Sequence, residues 1–297
     1  MTEFKDEVED IERENHYKAI ADKIRQTLSR IRQDSSSAKR WVWELVQNAK
    51  DTPNRWGKVS IEIELMTDRK LMFKHNGDPF TLRNVMGLIE QVSSKDSMNE
   101  EGQTGKFGTG FICTHLLSDV IHIDGIVNDK NGNQRRFNLN LDRSGDSSEE
   151  LIPRIKETSR QFKDLGADSI INDYENGRSE TKYDTLFTYD LTTEEKLAAA
   201  EKGIEDLTNT LPITLIIQRD KIKQVRVINH ISNTDVLYVC ETMPMDENVL
   251  SSIVSINECK KYYLNMPSFV PSNDTPTISQ ASFAIWAGVS PLAGIPC

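Results

Sequence analysis

The chain has 297 residues, with 46 acidic against 36 basic, a formal net charge of −10, and 37% hydrophobic beside 28% charged residues. That balance is a folded, globular one and excludes a disordered or collagen-like chain; no apolar run nears the ~20 residues that cross a bilayer, so no membrane role is expected. The acidic surplus leans against nucleic acid, the charged start MTEFKDEVEDIEREN is no signal peptide, and Cys113, Cys240, Cys259 and Cys297 fit neither zinc pairs nor a disulfide framework, so a cytoplasmic setting is expected.

Residues 1–15 read as an acidic arm or the start of a helix. Tyr17, Ile20, Ile24, Leu28 and Ile31 then recur at helical spacing. Asp34 and Ser35–Ser37 offer an N-cap for a second helix running to about Asp51, which Thr52-Pro53-Asn54 stops. Strands are expected at 59–65 and 71–75, a short helix at 82–91, a polar stretch at 93–106, and a helix at 107–117 entered through glycines. Strands at 120–127 and 135–141 flank the hairpin signal Asn131-Gly132. Residues 143–180 are polar and read as an insertion, followed by a strand at 185–191, a helix at 193–207, and a hairpin of 213–218 with 225–230. Five of the ten prolines lie between Pro267 and Pro296, so 231–297 reads as the opening of another domain, cut short, or as a tail.

Three clusters could carry chemistry. In WELVQNAKD (43–51), Glu44, Asn48 and Asp51 fall within roughly 60° of one helix face, beside an apolar face of Val42, Leu45, Val46 and Ala49. Taken alone, this is also what any solvated amphipathic face shows. In KHNGDPFT (74–81), Asn-Gly-Asp-Pro is turn chemistry at a strand end, where Gly77 lets backbone approach a ligand closely. In EGQTGKFGTGF (101–111), Gly102, Gly105, Gly108 and Gly110 open a helix, as a flexible hinge does and as a phosphate cradle does, with Lys95 and Lys106 as available charge. It is not a Walker A loop.

Together, in this order, the clusters resemble the GHKL ATPase superfamily of gyrase-type topoisomerases, the ninety-kilodalton heat-shock chaperone, histidine kinases and mismatch-repair ATPases. Glu44–Asp51 resembles the chaperone's helix motif and Gly105–Phe111 its second glycine box, while the Asn-Gly-x-Pro-Phe turn with Ser93-Ser94-Lys95 is closer to sacsin-type relatives. The resemblance covers roughly 16–230. It implies ATP and Mg²⁺ as ligands, with Glu44 as general base and Asn48 holding the metal. It further implies Asp51, Gly77 and Thr185 on the nucleoside side. Gly105, Lys106, Phe107, Gly108, Thr109 and Gly110 fall at the phosphates, with Lys95 as a charge partner. His75 stands where the superfamily has an adenine-binding Asp, and Pro79 replaces a glycine. A neutral imidazole accepts one hydrogen bond in the right tautomer, Asn76 or Asp78 could substitute, and His75 could equally cap the strand.

The resemblance implies an α/β (α+β) two-layer sandwich of the Bergerat type, with a mixed, mainly antiparallel sheet and helices on one face. The expected organisation is an arm (1–15), an ATP-binding domain (16–230) with a lid (92–106) and an insertion (143–180), and a following segment (231–297). The expected function is Mg-dependent ATP binding with slow hydrolysis, in which lid closure moves C-terminal domains or a protein partner, in a chaperone-like or sacsin-like protein able to form a homodimer. The alternatives are a nucleotide-sensing module with little hydrolysis and, disfavoured by charge, a DNA-processing subunit. His16, His115, His122 and His230 show no metal-ligand spacing, and Cys113 reads as core.

Overall fold

The structure is a computed structural model that describes residues 2–91, 110–246, 249–257 and 260–267. Two-residue alternation builds its sheet. In β1 (Val59–Leu65), Val59, Ile61, Ile63 and Leu65 point one way and Ser60, Glu62 and Glu64 the other. β2 (Lys70–His75) pairs antiparallel with β1, setting His75 beside Ile61 and Phe73 beside Ile63. β6 (Thr185–Asp190) continues the apolar face, with Thr185 opposite His75 and Phe187 opposite Phe73.

Beyond β6 lie β4 (Val120–Asn128), β5 (Gln134–Asp142) and the short β3 (Phe80–Thr81). On the other side of β1 come β7 (Ile222–Asn229), β8 (Thr234–Asp246), β9 (Val249–Ile256) and β10 (Lys260–Pro267). The order is β10-β9-β8-β7-β1-β2-β6-β4-β3, with β5 on β4; among the described strands only β1–β7 and β3–β4 pair parallel.

Helices cover the apolar face. They are α1 (Thr2–Gln33), α2 (Arg40–Lys50), α3 (Leu82–Glu90), α4 (Ser148–Lys163) and α5 (Glu194–Ile217). Trp41, Leu45, Ala49, Ile155, Leu207 and Leu215 are buried against Ile61, Phe73, Leu141 and Val225 in one core. The opposite face carries Glu62, Glu64, Lys74 and Arg226, cross-linked as ion pairs. The architecture is therefore a two-layer, mixed α/β sandwich with a mainly antiparallel sheet.

Several expectations change. Of the two readings of residues 1–15 the helix start is the one seen, with residues 4–15 exposed along α1. Within the polar stretch 143–180, α4 buries Leu151, Ile155 and Phe162 in the core. Residues 213–217 are not a strand: they complete α5, where Leu207, Leu211 and Leu215 recur every four residues and are buried. β7 instead crosses over to pair parallel with β1. The helix expected at 107–117 is, within the described residues, a 3₁₀ turn at Phe111–Leu116. The sheet also continues past residue 230, through β10.

Candidate functional site

The site lies where α2 crosses the His75–Thr185 end of the sheet. α2 is amphipathic: Trp41, Val42, Leu45, Val46 and Ala49 are buried, which turns Glu44, Asn48 and Asp51 along an adjacent line. From Glu44 to Asp51 this line is about 10 Å long at helical rise.

Glu44 marks one end. Its side chain is 24% exposed, with Arg40 Nη2 3.8 Å from Oε1. Burial pushes its carboxyl above the ordinary glutamate value, and the Arg40 charge offsets this only in part. Gly110 lies directly against it: a Cβ at that position would stand 2.0 Å from Oε2 and 2.5 Å from Cδ. Cys113 is nearby and inert, its thiol pushed up to about 12 by burial and by the Glu44 charge.

Asn48 is 5% exposed, and its Nδ2 has no hydrogen-bond partner. Asp51 meets Lys50 through Oδ1 at 3.4 Å, while its buried Oδ2 has no partner. Two buried polar atoms left unmet on one helix face are costly unless something else meets them. The unmet Asn48 Nδ2 is a donor that suits a ligand oxygen, while the Asn48 Oδ1 and the Asp51 carboxylate are oxygens of the kind a hydrated hard cation takes.

The far end is the turn after β2. Asp78 N–H donates to the Thr52 carbonyl at 3.3 Å, so the turn packs on the residue that follows Asp51. Gly77 is obligatory there, since a Cβ would meet Thr52 Oγ1 at 2.2 Å and the Thr52 carbonyl at 2.7 Å. His75 is buried on the helix-covered face, and its Nδ1 accepts the Gly77 N–H at 3.1 Å. Burial drops its pKa to about 3. The ring stacks on Phe187, which in turn packs on Phe111, the neighbour of Gly110, so aromatic contacts join the two ends of the site.

Asn76 has an internal task. Its Oδ1 accepts from Ser60 N–H at 2.7 Å and Asn54 Nδ2 at 3.2 Å, and its Nδ2 donates to the Glu180 carbonyl at 2.8 Å. Asp78 is paired with Arg178 at 3.0 Å. The Asn76 side chain is therefore held inside the turn, whereas the Asp78 side chain is half exposed.

The structure sets Glu44 against Gly110, Gly77 against the Thr52 that follows Asp51, and His75 opposite Thr185 on the sheet, with Asn48 between Glu44 and Asp51 along α2. Lys95, Gly105, Lys106, Phe107, Gly108 and Thr109, with the lid at 92–106, lie outside the described residues. Sequence reasoning missed Arg178. It is 3% exposed, its Nη2 bonds the Gly77 carbonyl at 3.3 Å, and it lies 5.5 Å from the Trp56 ring and 5.4 Å from the Tyr174 ring. An isolated arginine in a polar stretch carries no local signal of such a role.

No family model matches the chain, and no curated protein matches its sequence. Among solved structures, the ATP-binding domain of topoisomerase IV from Francisella tularensis, in complex with a small-molecule inhibitor, is similar over 66% of this chain and 83% of its own, at 13% identity and a TM-score of 0.34. The DNA gyrase B-subunit of Myxococcus xanthus is similar over 72% of this chain and 60% of its own, at 9% identity and a TM-score of 0.37. Likeness at this level says nothing about chemistry, which must be read from this chain's own side chains.

Proposed function

We propose that the chain binds ATP with Mg²⁺ between α2 and the sheet and hydrolyses it slowly. The observation that carries the reading is the line along α2: a carboxylate of raised pKa pressed on Gly110, followed by two buried polar atoms with nothing to bond. Among the described residues no group of three or more His, Cys, Asp or Glu could hold a metal unaided. Mg²⁺ keeps waters and takes one or two protein oxygens together with substrate phosphates. Asn48 would supply the protein oxygen, and the bound ion would neutralise charge developing on the phosphates.

In the hydrolytic step Glu44 takes a proton from water as its oxygen bonds the γ-phosphorus. The bond from that phosphorus to the bridging oxygen breaks and ADP leaves. A base whose pKa is raised toward working pH suits this transfer. The glycine box at 105–110 would meet the phosphates, Asp51 would face the nucleoside half, and His75 with Thr185 the base. Lys95 and Lys106 would add charge at the phosphates.

The chaperone-like or sacsin-like setting rests on the sequence resemblance at 44–51 and 105–111. Coupling to C-terminal domains, a protein partner or a second copy would run through β7, which joins β1 to β8–β10. The test is kinetic. Glu44→Ala should cut turnover by roughly 10²–10⁴-fold and spare ATP binding. Equal turnover in Glu44→Ala and wild type would end the hydrolytic assignment.

A further inference from the structure

His75 ends β2 with its ring fixed on several sides. It stacks on Phe187 at 6.5 Å with 24° between planes and meets Phe73 edge-on at 6.3 Å. Its Nδ1 accepts the Gly77 N–H at 3.1 Å. The residues around that N–H are held as well: Arg178 bonds the Gly77 carbonyl at 3.3 Å and Asp78 at 3.0 Å, and the Asn76 side chain is tied to Asn54, Ser60 and Glu180. A neutral imidazole carries one N–H. With Nδ1 occupied as acceptor, that proton belongs on Nε2. Burial keeps a second proton off, holding the pKa at about 3.

The neighbourhood says what this donor can face. With phosphates and Mg²⁺ at Glu44 and Asn48, as proposed above, the base falls toward the Asp51 end of the α2 line, where Thr52 packs on the Gly77 turn beside His75. We propose that His75 reads the base as a hydrogen-bond donor, through Nε2–H to a ring-nitrogen acceptor such as N1 of adenine, and does not receive the exocyclic amino group. This rests on the nucleotide reading above. The amino group is then dispensable to this contact, whereas a purine without its N1 acceptor leaves a buried N–H unmet.

Two measurements on the full chain test it. Two-bond ¹H–¹⁵N spectra of ¹⁵N-histidine-labelled protein, assigned with a His75→Gln variant, should show a pyrrole-type Nε2 and a pyridine-type Nδ1 for His75. The opposite tautomer, or a ring protonated at pH 7, overturns the proposal whether or not nucleotide binds. Calorimetric titration with Mg²⁺ and, separately, ATP, 1-deaza-ATP and purine riboside triphosphate should give purine riboside triphosphate within about threefold of ATP, and 1-deaza-ATP roughly tenfold weaker or more. The reverse ranking means that the amino group is read by an acceptor, and equal affinities mean that His75 reads nothing; either overturns the inference while leaving the nucleotide site standing. Failure of ATP itself to bind overturns both.

Discussion

Gly110→Ala should change the sign of its effect on stability depending on the residue at position 44. The Gly110 backbone sits at φ −69°, ψ −44°, a conformation alanine adopts without strain. On backbone grounds alone, alanine there stabilises by about 0.4–1 kcal/mol through the unfolded chain. In the native protein the new methyl would stand 2.0 Å from Glu44 Oε2, closer than real contacts allow, so the carboxylate must retreat by about 1 Å or more. Forcing a methyl into packed space costs about 1–3 kcal/mol, and the partly exposed carboxylate tip places this case at the lower end. Wild-type protein should therefore lose about 1 kcal/mol in urea unfolding. With Glu44→Ala already in place the obstruction is gone, and the same substitution should stabilise. The coupling from this double-mutant cycle should reach about 1–2 kcal/mol. Turnover should fall on the order of 10²-fold in Gly110→Ala, because the carboxylate proposed as general base is displaced by an ångström. Equal destabilisation in both backgrounds would show that Gly110 does not abut the carboxylate, and would refute the geometry from which the base is assigned.

Other outcomes follow from the same structure. The acid limb of the turnover–pH profile should lie above the ordinary glutamate value of 4.5, because burial raises the Glu44 pKa and only the ionised form accepts a proton; a limb at or below 4.5 would contradict the assignment. Acid unfolding should begin early. His75 and His115 are held neutral in the fold, mainly by burial, at pKa values of about 3 against 6.5 when exposed. Their contribution is intact above pH 6.5 and is lost as pH falls toward 3, at about 1.4 kcal/mol per pH unit for each once well below 6.5. Between pH 7 and 5 urea titrations should show this slope, and His115→Gln should remove about one proton from it; a flat stability profile there would contradict the burial of both rings. Gly203→Ala should destabilise by about 1–3 kcal/mol despite alanine's better helix propensity, since its methyl would meet the buried Trp41 ring at 2.2–2.7 Å; unchanged stability would mean that α5 packs differently on α2.

What the sequence revealed depended on how local the cause was. The α2 face was legible because 3.6-residue periodicity alone puts Glu44, Asn48 and Asp51 in line beside Leu45 and Ala49. The apolar side of β1 and β2 was legible from alternation in the same way. Residues 213–217 were misread because Ile213, Thr214, Ile216 and Ile217 favour strands locally, whereas burial of Leu211, Leu215 and Ile216 in the core decides for helix. α4 was hidden by its charged outer face: only Leu151, Ile155 and Phe162, spaced four and seven residues apart, betray the side that packs. Neither the Arg178 clamp nor the His75 tautomer has any local sign. The first depends on a residue 101 positions from Gly77, and the second on which hydrogen bond the Gly77 N–H makes.

The measurement that bears most directly on the central claim is calorimetric titration of the full chain with a non-hydrolysable ATP analogue, with and without Mg²⁺, in wild type and in Asn48→Ala. Saturable binding that needs Mg²⁺ and is lost in Asn48→Ala is the predicted result. Absence of binding in the wild-type chain, or binding indifferent to both the metal and Asn48, would contradict the account.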